Sequence, residues 1–146
     1  MAKKVLIIYH TQTGNTEAMA KAVAEGATYT HGIEVVTKKA AEATLDDLLS
    51  CDAVAFGSAE YFGYMAGAMK DFFDRNLARS AGKAAGKPYV AFGSTGMGGT
   101  RALDSIDLCA TAFQLKKAAD GVIATGKPTT EVLDKCKNLG QKLASG

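Results

Sequence analysis

One short polar stretch, lying between an apolar run and a helical pattern, constrains the fold of this chain most strongly. The run Val5–Tyr9 is rich in β-branched and apolar residues, and its length is typical of a buried strand. Met19, Val23 and Gly26 follow at helical spacing. The sequence therefore predicts a strand, a loop and a helix start, an arrangement that binds phosphate through backbone N–H groups and the helix dipole. The loop consists of Thr11, Gln12, Thr13, Gly14, Asn15 and Thr16.

Loop 11–16 matches neither of the common nucleotide-binding motifs. The chain has no G-x-x-x-x-G-K-[ST] sequence, and the spacing G-x-G-x-x-G is absent after this strand. The loop contains no Lys or Arg, so a bound phosphate would be held by hydrogen bonds and the helix dipole. Gly14 would let the backbone approach such an anion closely. The alternative is an ordinary capped turn in which Thr13 or Asn15 is the N-cap.

Length, charge and cysteine content exclude several classes of protein. A chain of 146 residues predicts one domain over residues 1–146. The net charge of +2 does not indicate a nucleic-acid partner, and no apolar run reaches membrane-spanning length. Three cysteines without a C-x-x-C pair, together with two histidines, indicate neither a disulfide framework nor a metal site. Because no signal-peptide pattern precedes the first strand, we expect a cytoplasmic protein.

Apolar runs alternate with helical patterns along the chain, which predicts an α/β fold with a parallel sheet. Glu34 within the second strand indicates a sheet edge. The last strand is expected in two pieces, and the Ala-, Gly- and Lys-rich connector 80–87 is expected to be an exposed loop. The predicted strands are 5–9, 32–37, 53–56, 88–92, 114–118 and 122–125. Five helices are predicted: one after residue 16, one over 45–49, one over 65–77, one that includes Leu103 to Phe113, and one that begins near Pro128. In the last helix, the residues expected to be buried are Val132, Cys136, Leu139 and Leu143.

Three loops should meet at one edge of this sheet, because ligands of doubly wound folds bind outside the carboxyl ends of the strands. These loops are 11–16, 57–64 and 93–99, and all three are rich in Gly and hydroxyl groups. The middle loop adds Tyr61, Phe62 and Tyr64, which could instead fold over the edge of the core. A phosphate loop beside aromatic side chains and glycines suits a flat ring with a phosphate tail.

These residues resemble the flavodoxins and flavodoxin-like FMN proteins along almost the full chain. Loop 11–16 is similar to the phosphate signature of that family, and Gly126-Lys127-Pro128 with Cys136-Lys137-Asn138-Leu139-Gly140 is similar to the end of its short members. The resemblance implies a doubly wound, five-stranded parallel sheet of order 2-1-3-4-5 with helices on both faces. It also implies FMN as the cofactor, bound at the switch point of the sheet.

The resemblance assigns a role to each loop. Residues 11–16 would bind the phosphate, and Tyr61 or Phe62 would stack on the isoalloxazine ring. The Gly63 peptide would reorient to stabilise the neutral semiquinone, while N–H groups of the third loop would face the pyrimidine edge. No catalytic residue and no metal ligand are expected. Besides loop 11–16, the predicted cofactor-binding residues are Ser58, Ala59, Glu60, Tyr61, Phe62, Gly63, Ser94, Thr95, Gly96, Met97, Gly98 and Gly99.

The predicted function is an electron carrier that shuttles electrons between a reductase donor and an acceptor enzyme through the semiquinone and hydroquinone of FMN. The chain departs from familiar flavodoxins in its slightly basic charge and in a third loop without an aromatic residue. The alternative is therefore an NAD(P)H-dependent FMN quinone reductase of the same fold. A non-redox phosphate-binding module is a third possibility. We expect a monomer or a weak dimer that binds neither nucleic acid nor membrane.

Overall fold

A computed structural model describes residues 2–146, which form a parallel sheet between two layers of helices. The strands β1 to β7 are Lys3–His10, Ile33–Lys39, Ala53–Tyr61, Tyr64–Met65, Pro88–Thr95, Lys116–Lys117 and Val122–Thr125. The helices α1 to α5 are Asn15–Ala27, Leu45–Ser50, Gly67–Ser80, Arg101–Ala112 and Thr130–Ser145. Among these residues, no helix is both long and apolar enough to cross a bilayer.

The strand order confirms the expected topology. The sheet runs β2-β1-β3-β5, and β5 then pairs in parallel with both β6 and β7. Because β6 and β7 are two pieces of one interrupted strand, the five parallel positions have the order 2-1-3-4-5. The short strand β4 lies outside this order, because it forms an antiparallel hairpin with β3. Strand β2, which contains Glu34, is at the edge as predicted.

Alternate residues of the buried strands face opposite helical layers. Leu6 and Ile8 of β1 pack with α2, α3 and α4 around an aromatic cluster formed by Phe56, Phe72, Phe73 and Phe113. On the other face, Val5 and Ile7 pack against α1 and α5. A Cβ added to Gly26 of α1 would overlap the carbonyl oxygen of Lys137, so these two helices pack unusually closely.

The structure corrects the prediction most clearly between residues 57 and 67. This segment was expected to be a loop, but β3 continues to Tyr61 and turns back as β4. Met65 pairs with Glu60 in the hairpin, so helix α3 begins at Gly67 instead of Met65. The connector 80–87 is also less exposed than expected, since Ala84 is fully buried.

Candidate functional site

The N-terminus of helix α1 has no side-chain cap. Its N-cap is Gly14, which has a φ of 97° in the left-handed region, and no side chain accepts a hydrogen bond from the first turn. The Thr11 hydroxyl instead accepts a hydrogen bond from the Gly14 N–H at 3.0 Å and closes the loop. The alternative in which Thr13 or Asn15 caps the helix is therefore wrong. Backbone N–H groups that caps usually satisfy remain available to an anion.

Loop 11–16 and the first turn of α1 are fixed to the sheet through buried polar contacts. The hydroxyls of Thr16 in α1 and Ser94 in β5 lie 2.8 Å apart, and both residues are buried. Nearby, the Tyr9 hydroxyl donates to Glu17 Oε2 at 3.0 Å. Burial raises the pKa of Tyr9, and this contact with Glu17 raises it further, so the phenol remains a donor. These bonds connect the first turn of α1 to strands β1 and β5.

The second loop is a tight hairpin whose base is held by Ser58. The buried Ser58 hydroxyl donates to the Ala59 carbonyl at 2.7 Å and accepts from the Ala66 N–H at 2.8 Å. At the tip, Phe62 and Gly63 have φ values of 55° and 75°. Two consecutive positive φ values identify a type I′ turn, where Asn-Gly is the usual pair. Phe62 is therefore held in a conformation that L-residues rarely adopt, and its side chain is fully exposed.

The third loop is organised by the Thr95 side chain at the end of β5. The Thr95 hydroxyl donates to the Gly98 carbonyl and accepts from the Met97 N–H, both at 3.3 Å. Gly98 and Gly99 both have positive φ values, of 83° and 88°. Met97 is directed into solvent with 96% of its surface exposed.

The three loops enclose a cavity of about 210 Å³ at the carboxyl edge of the sheet. Nine of the predicted residues line it, namely Gln12, Thr13, Asn15, Ala59, Glu60, Tyr61, Ser94, Thr95 and Gly96. The other predicted residues do not line it. Thr11, Gly14, Thr16 and Ser58 support the loops from within, whereas Phe62, Gly63, Met97, Gly98 and Gly99 belong to the outer parts of the second and third loops.

Glu60 is the one acidic residue that lines the cavity, and one of its oxygens is unusually placed. Its Oε1 atom is buried without a hydrogen-bond partner among residues 2–146. Because a buried acceptor without a partner costs free energy, a donor brought into the cavity by a ligand would stabilise this atom. The rings of His10 and Tyr61 pack nearly perpendicular to each other, with their centroids 5.8 Å apart. Burial lowers the pKa of His10, which favours the uncharged imidazole in that contact.

Two residues near the site were missed from the sequence. Gly126 lines the cavity, and its N–H donates to the Thr95 carbonyl at 2.8 Å. It directly follows the predicted strand 122–125. Ligands bind outside the carboxyl ends of the strands, so including the loop after this strand in the predicted site would have found Gly126. Arg101 lies against the hairpin tip, since a Cβ added to Gly63 would be 3.0 Å from its Nη1 atom. No sequence signal connects Arg101 with Gly63, because the two residues are far apart in the chain.

A doubly wound sheet with a cavity at its switch point defines the class of α/β proteins that bind a nucleotide-like ligand at the strand ends. Comparisons identify the family within that class. The family model described as Flavodoxin matches residues 7–138. A flavodoxin from Aquifex aeolicus (strain VF5) is 36% identical over 157 residues, which cover 97% of this chain and 85% of that protein. The chain belongs to the flavodoxin family.

Solved structures agree with this assignment. The structure of a flavodoxin from the domain Archaea has a TM-score of 0.87 and 30% identity, and the match covers 97% of this chain and 96% of that one. The solution structure of two-electron reduced Megasphaera elsdenii flavodoxin has a TM-score of 0.82 over 97% of this chain and 99% of that one. At 24% identity the latter likeness concerns the fold alone.

Membership of this family confirms the predicted function in its general form. Flavodoxins bind a flavin and transfer electrons to redox partner proteins, and this chain is an electron-transfer protein of that kind. The alternative function, a quinone reductase that uses NAD(P)H, is not favoured by these relatives.

Proposed function

We propose that the flavin is FMN and that it binds in the cavity formed by loops 11–16, 57–64 and 93–99. Its phosphate would lie at the N-terminus of α1, and its ring between the hairpin and the third loop. The absence of a side-chain cap on α1 and the left-handed Gly14 support the phosphate position, because they leave N–H groups free for an anion. The residues present therefore fit the cofactor.

The buried, unpartnered Oε1 atom of Glu60 is the single observation that carries this proposal. The isoalloxazine ring carries one N–H group on its pyrimidine edge, and a carboxylate is a strong acceptor for such a donor. A ring bound in the cavity would therefore satisfy an acceptor that the protein leaves unpaired. The negative charge of Glu60 would also disfavour an anionic reduced flavin, which lowers the potential of the second reduction.

The protein has little chemistry of its own to perform. FMN supplies the ability to take up and release electrons one at a time. Tyr61 would cover one side of the ring and exclude water, while backbone N–H groups of residues 96, 98 and 99 would face the oxygen that becomes negative on reduction. The Gly63 peptide could change orientation because Gly tolerates both signs of φ.

The finer parts of the proposal rest on the sequence. The protein would be a single domain over residues 1–146 that acts in the cytoplasm as a monomer or a weak dimer. It would accept electrons from a reductase and deliver them to an acceptor enzyme.

A binding titration of the apoprotein tests the cofactor and its orientation together. FMN and riboflavin share the ring and differ by the phosphate, so FMN should bind at least about tenfold more tightly if loop 11–16 holds the phosphate. The substitution Glu60→Met keeps the length of the side chain and removes the acceptor, so it should weaken FMN binding by roughly tenfold or more.

The control for this titration is Glu34→Met on the exposed edge strand β2, which removes the same charge far from the cavity and should leave FMN affinity unchanged. Equal affinities for FMN and riboflavin would contradict the phosphate position. An apoprotein that cannot be loaded with any flavin would overturn the proposal.

A further inference from the structure

Helix α4 contacts the β3–β4 hairpin at two points. At the base of the hairpin, the Ser105 hydroxyl accepts a hydrogen bond from the Met65 N–H at 3.1 Å and donates to the Ala102 carbonyl at 2.9 Å. At the tip, the side chain of Arg101 lies beside Gly63. Arg101 is one turn before Ser105 in α4, so the two side chains project from the same side of the helix. One side of α4 therefore holds both ends of the hairpin.

The contact between Arg101 and Gly63 is made where other residues carry a side chain. A Cβ added to Gly63 would lie 3.0 Å from Arg101 Nη1, 3.4 Å from its Cδ and 3.9 Å from its Cζ. Both the aliphatic stem and the guanidinium are therefore beside the Gly63 Cα. The glycine permits the positive φ of 75° and also leaves room for this contact, because a side chain at position 63 would displace Arg101.

Local structure does not explain an arginine at this position. A cation in the first turn of a helix is disfavoured by the helix dipole. Among residues 2–146, Arg101 forms no ion pair, whereas Arg75 is bonded to Asp71 and to two carbonyl oxygens. The contact of Arg101 with the hairpin tip is therefore not the by-product of an ion pair.

The hairpin tip is a weakly supported part of the cavity wall. Phe62 and Gly63 both have positive φ values, and the Phe62 side chain is fully exposed. Strand β4 has only two residues, and Tyr61 and Tyr64 are the pair that closes the turn. Reorientation of the Gly63 peptide rotates the bonds of the Cα against which Arg101 lies. Because this rotation disturbs the contact, Arg101 opposes it.

We infer that Arg101 is a positioning residue, which holds the hairpin tip in the observed orientation and thereby limits the reorientation of the Gly63 peptide when a bound flavin takes up one electron. This inference rests on the proposed function, because it assumes that the flavin ring lies beside the hairpin. Arg101 makes the reorientation more costly, so it reduces the stabilisation of the one-electron-reduced flavin. It therefore brings the potentials of the first and second reductions closer together.

Hydrogen exchange in the apoprotein tests the contact without any flavin. The Tyr64 amide reports opening of the hairpin tip, because Tyr64 pairs with Tyr61 across the turn. In Arg101→Ala, this amide should exchange about fivefold faster, as measured by NMR. Arg101→Lys keeps the aliphatic stem and should restore most of the slower exchange. Neither substitution should unfold α4, because Arg101 is exposed and its charge is unfavourable at that end of the helix.

The potential of the first reduction tests the consequence for the cofactor, in a dithionite titration of the FMN-loaded protein. In Arg101→Ala, this potential should rise by about 30 mV, which is about threefold in the equilibrium constant for a one-electron step. Loss of a positive charge cannot produce this rise, because the first reduction gives a neutral flavin and only the second gives an anion. The first potential of Arg101→Lys should remain close to that of the unsubstituted protein.

Arg79→Ala is the matched control, since it removes the same side chain and the same charge. Arg79 is exposed more than three helical turns after Gly67, the first residue of α3 and the end of that helix next to the hairpin. Like Arg101, it forms no ion pair within the described part of the chain. Arg79→Ala should change neither the exchange of the Tyr64 amide nor the first potential.

The failure of this inference and the failure of the proposed function are distinguishable. An unchanged exchange rate of the Tyr64 amide in Arg101→Ala would overturn the inference, whether or not the protein binds flavin. Faster exchange with an unchanged or lowered first potential would also overturn it. An apoprotein that takes up no FMN would overturn the proposed function and this inference with it, whereas faster Tyr64 exchange in that apoprotein would still show that Arg101 holds the hairpin.

Discussion

The inner and outer parts of the site are built in opposite ways. The inner part consists of Thr16, Ser58 and Ser94, which are buried and bonded to one another or to the backbone. The outer part consists of Phe62, Gly63 and Met97, of which the two large side chains are exposed and two backbones are left-handed. The bonds of the inner part therefore stabilise the fold, whereas the exposed side chains and left-handed backbones of the outer part add little stability.

Ser58→Ala should have the largest effect on stability. It removes the acceptor of the buried Ala66 N–H, which leaves that donor without a partner. We expect the free energy of unfolding of the apoprotein to fall by about 2 to 3 kcal/mol, measured by urea denaturation. Ser50→Ala, at an exposed serine, is the control and should change it by less than about 0.5 kcal/mol. Equal effects would refute the role assigned to Ser58.

Thr16→Val should have the next largest effect. Valine has nearly the same shape as threonine but cannot bond to Ser94, whose hydroxyl loses its buried partner. The free energy of unfolding should decrease by about 1 to 2 kcal/mol, and FMN should bind more weakly because the first turn of α1 loses its connection to β5. Thr111→Val, at an exposed helical threonine, is the matched control. An unchanged denaturation midpoint would contradict this expectation.

Phe62→Asn should act in the opposite direction. Asn-Gly is the preferred pair in a type I′ turn, so the substitution should relieve backbone strain and raise the free energy of unfolding by about 0.5 to 1 kcal/mol. FMN binding or electron transfer should weaken in the same variant, because the exposed ring is lost. Met97→Ala, which relieves no strain, should leave stability within about 0.5 kcal/mol of its original value. Loss of stability in Phe62→Asn would show that the inner and outer parts do not differ as described.

The smallest expected effect concerns His10, at the boundary between the two parts. Burial lowers its pKa below the ordinary value of 6.5, which an NMR titration would show directly. The unfolded chain therefore binds a proton at His10 more readily than the folded protein does. As a result, His10 adds stability above pH 6.5, and this stability is lost as the pH falls through the lower pKa of the folded protein. His10→Gln should therefore reduce the loss of stability between about pH 7 and pH 5. A pKa above 6.5 would contradict the assigned burial.

The sequence predicted the inner part of the site well, because local signals encode it. The strand, loop and helix around Gly14 follow one another in the chain, and the strand-end rule placed three loops together without knowledge of their contacts. Strand order came from the resemblance to a family and was confirmed. The two-piece last strand was found with its second piece at 122–125.

The outer part depends on distant contacts that a single sequence does not display. The strand that leads to the hairpin was predicted to end at Gly57, but β3 continues to Tyr61, and Gly57 is needed inside it because the Phe92 ring occupies the space of a Cβ there. The hairpin tip at Phe62 lacks the Asn-Gly signal, so it was predicted as part of a loop. The position of Arg101 beside Gly63 depends on how α4 packs against the hairpin, which no local pattern records.

An anaerobic reductive titration of the FMN-loaded protein, followed by visible absorbance, tests the central claim most directly. A one-electron carrier should pass through a stabilised one-electron-reduced form, seen as a long-wavelength band that rises and then falls, and NADH or NADPH alone should not reduce it. Direct bleaching to the two-electron-reduced flavin, with rapid reduction by a nicotinamide, would contradict the carrier function and favour the reductase.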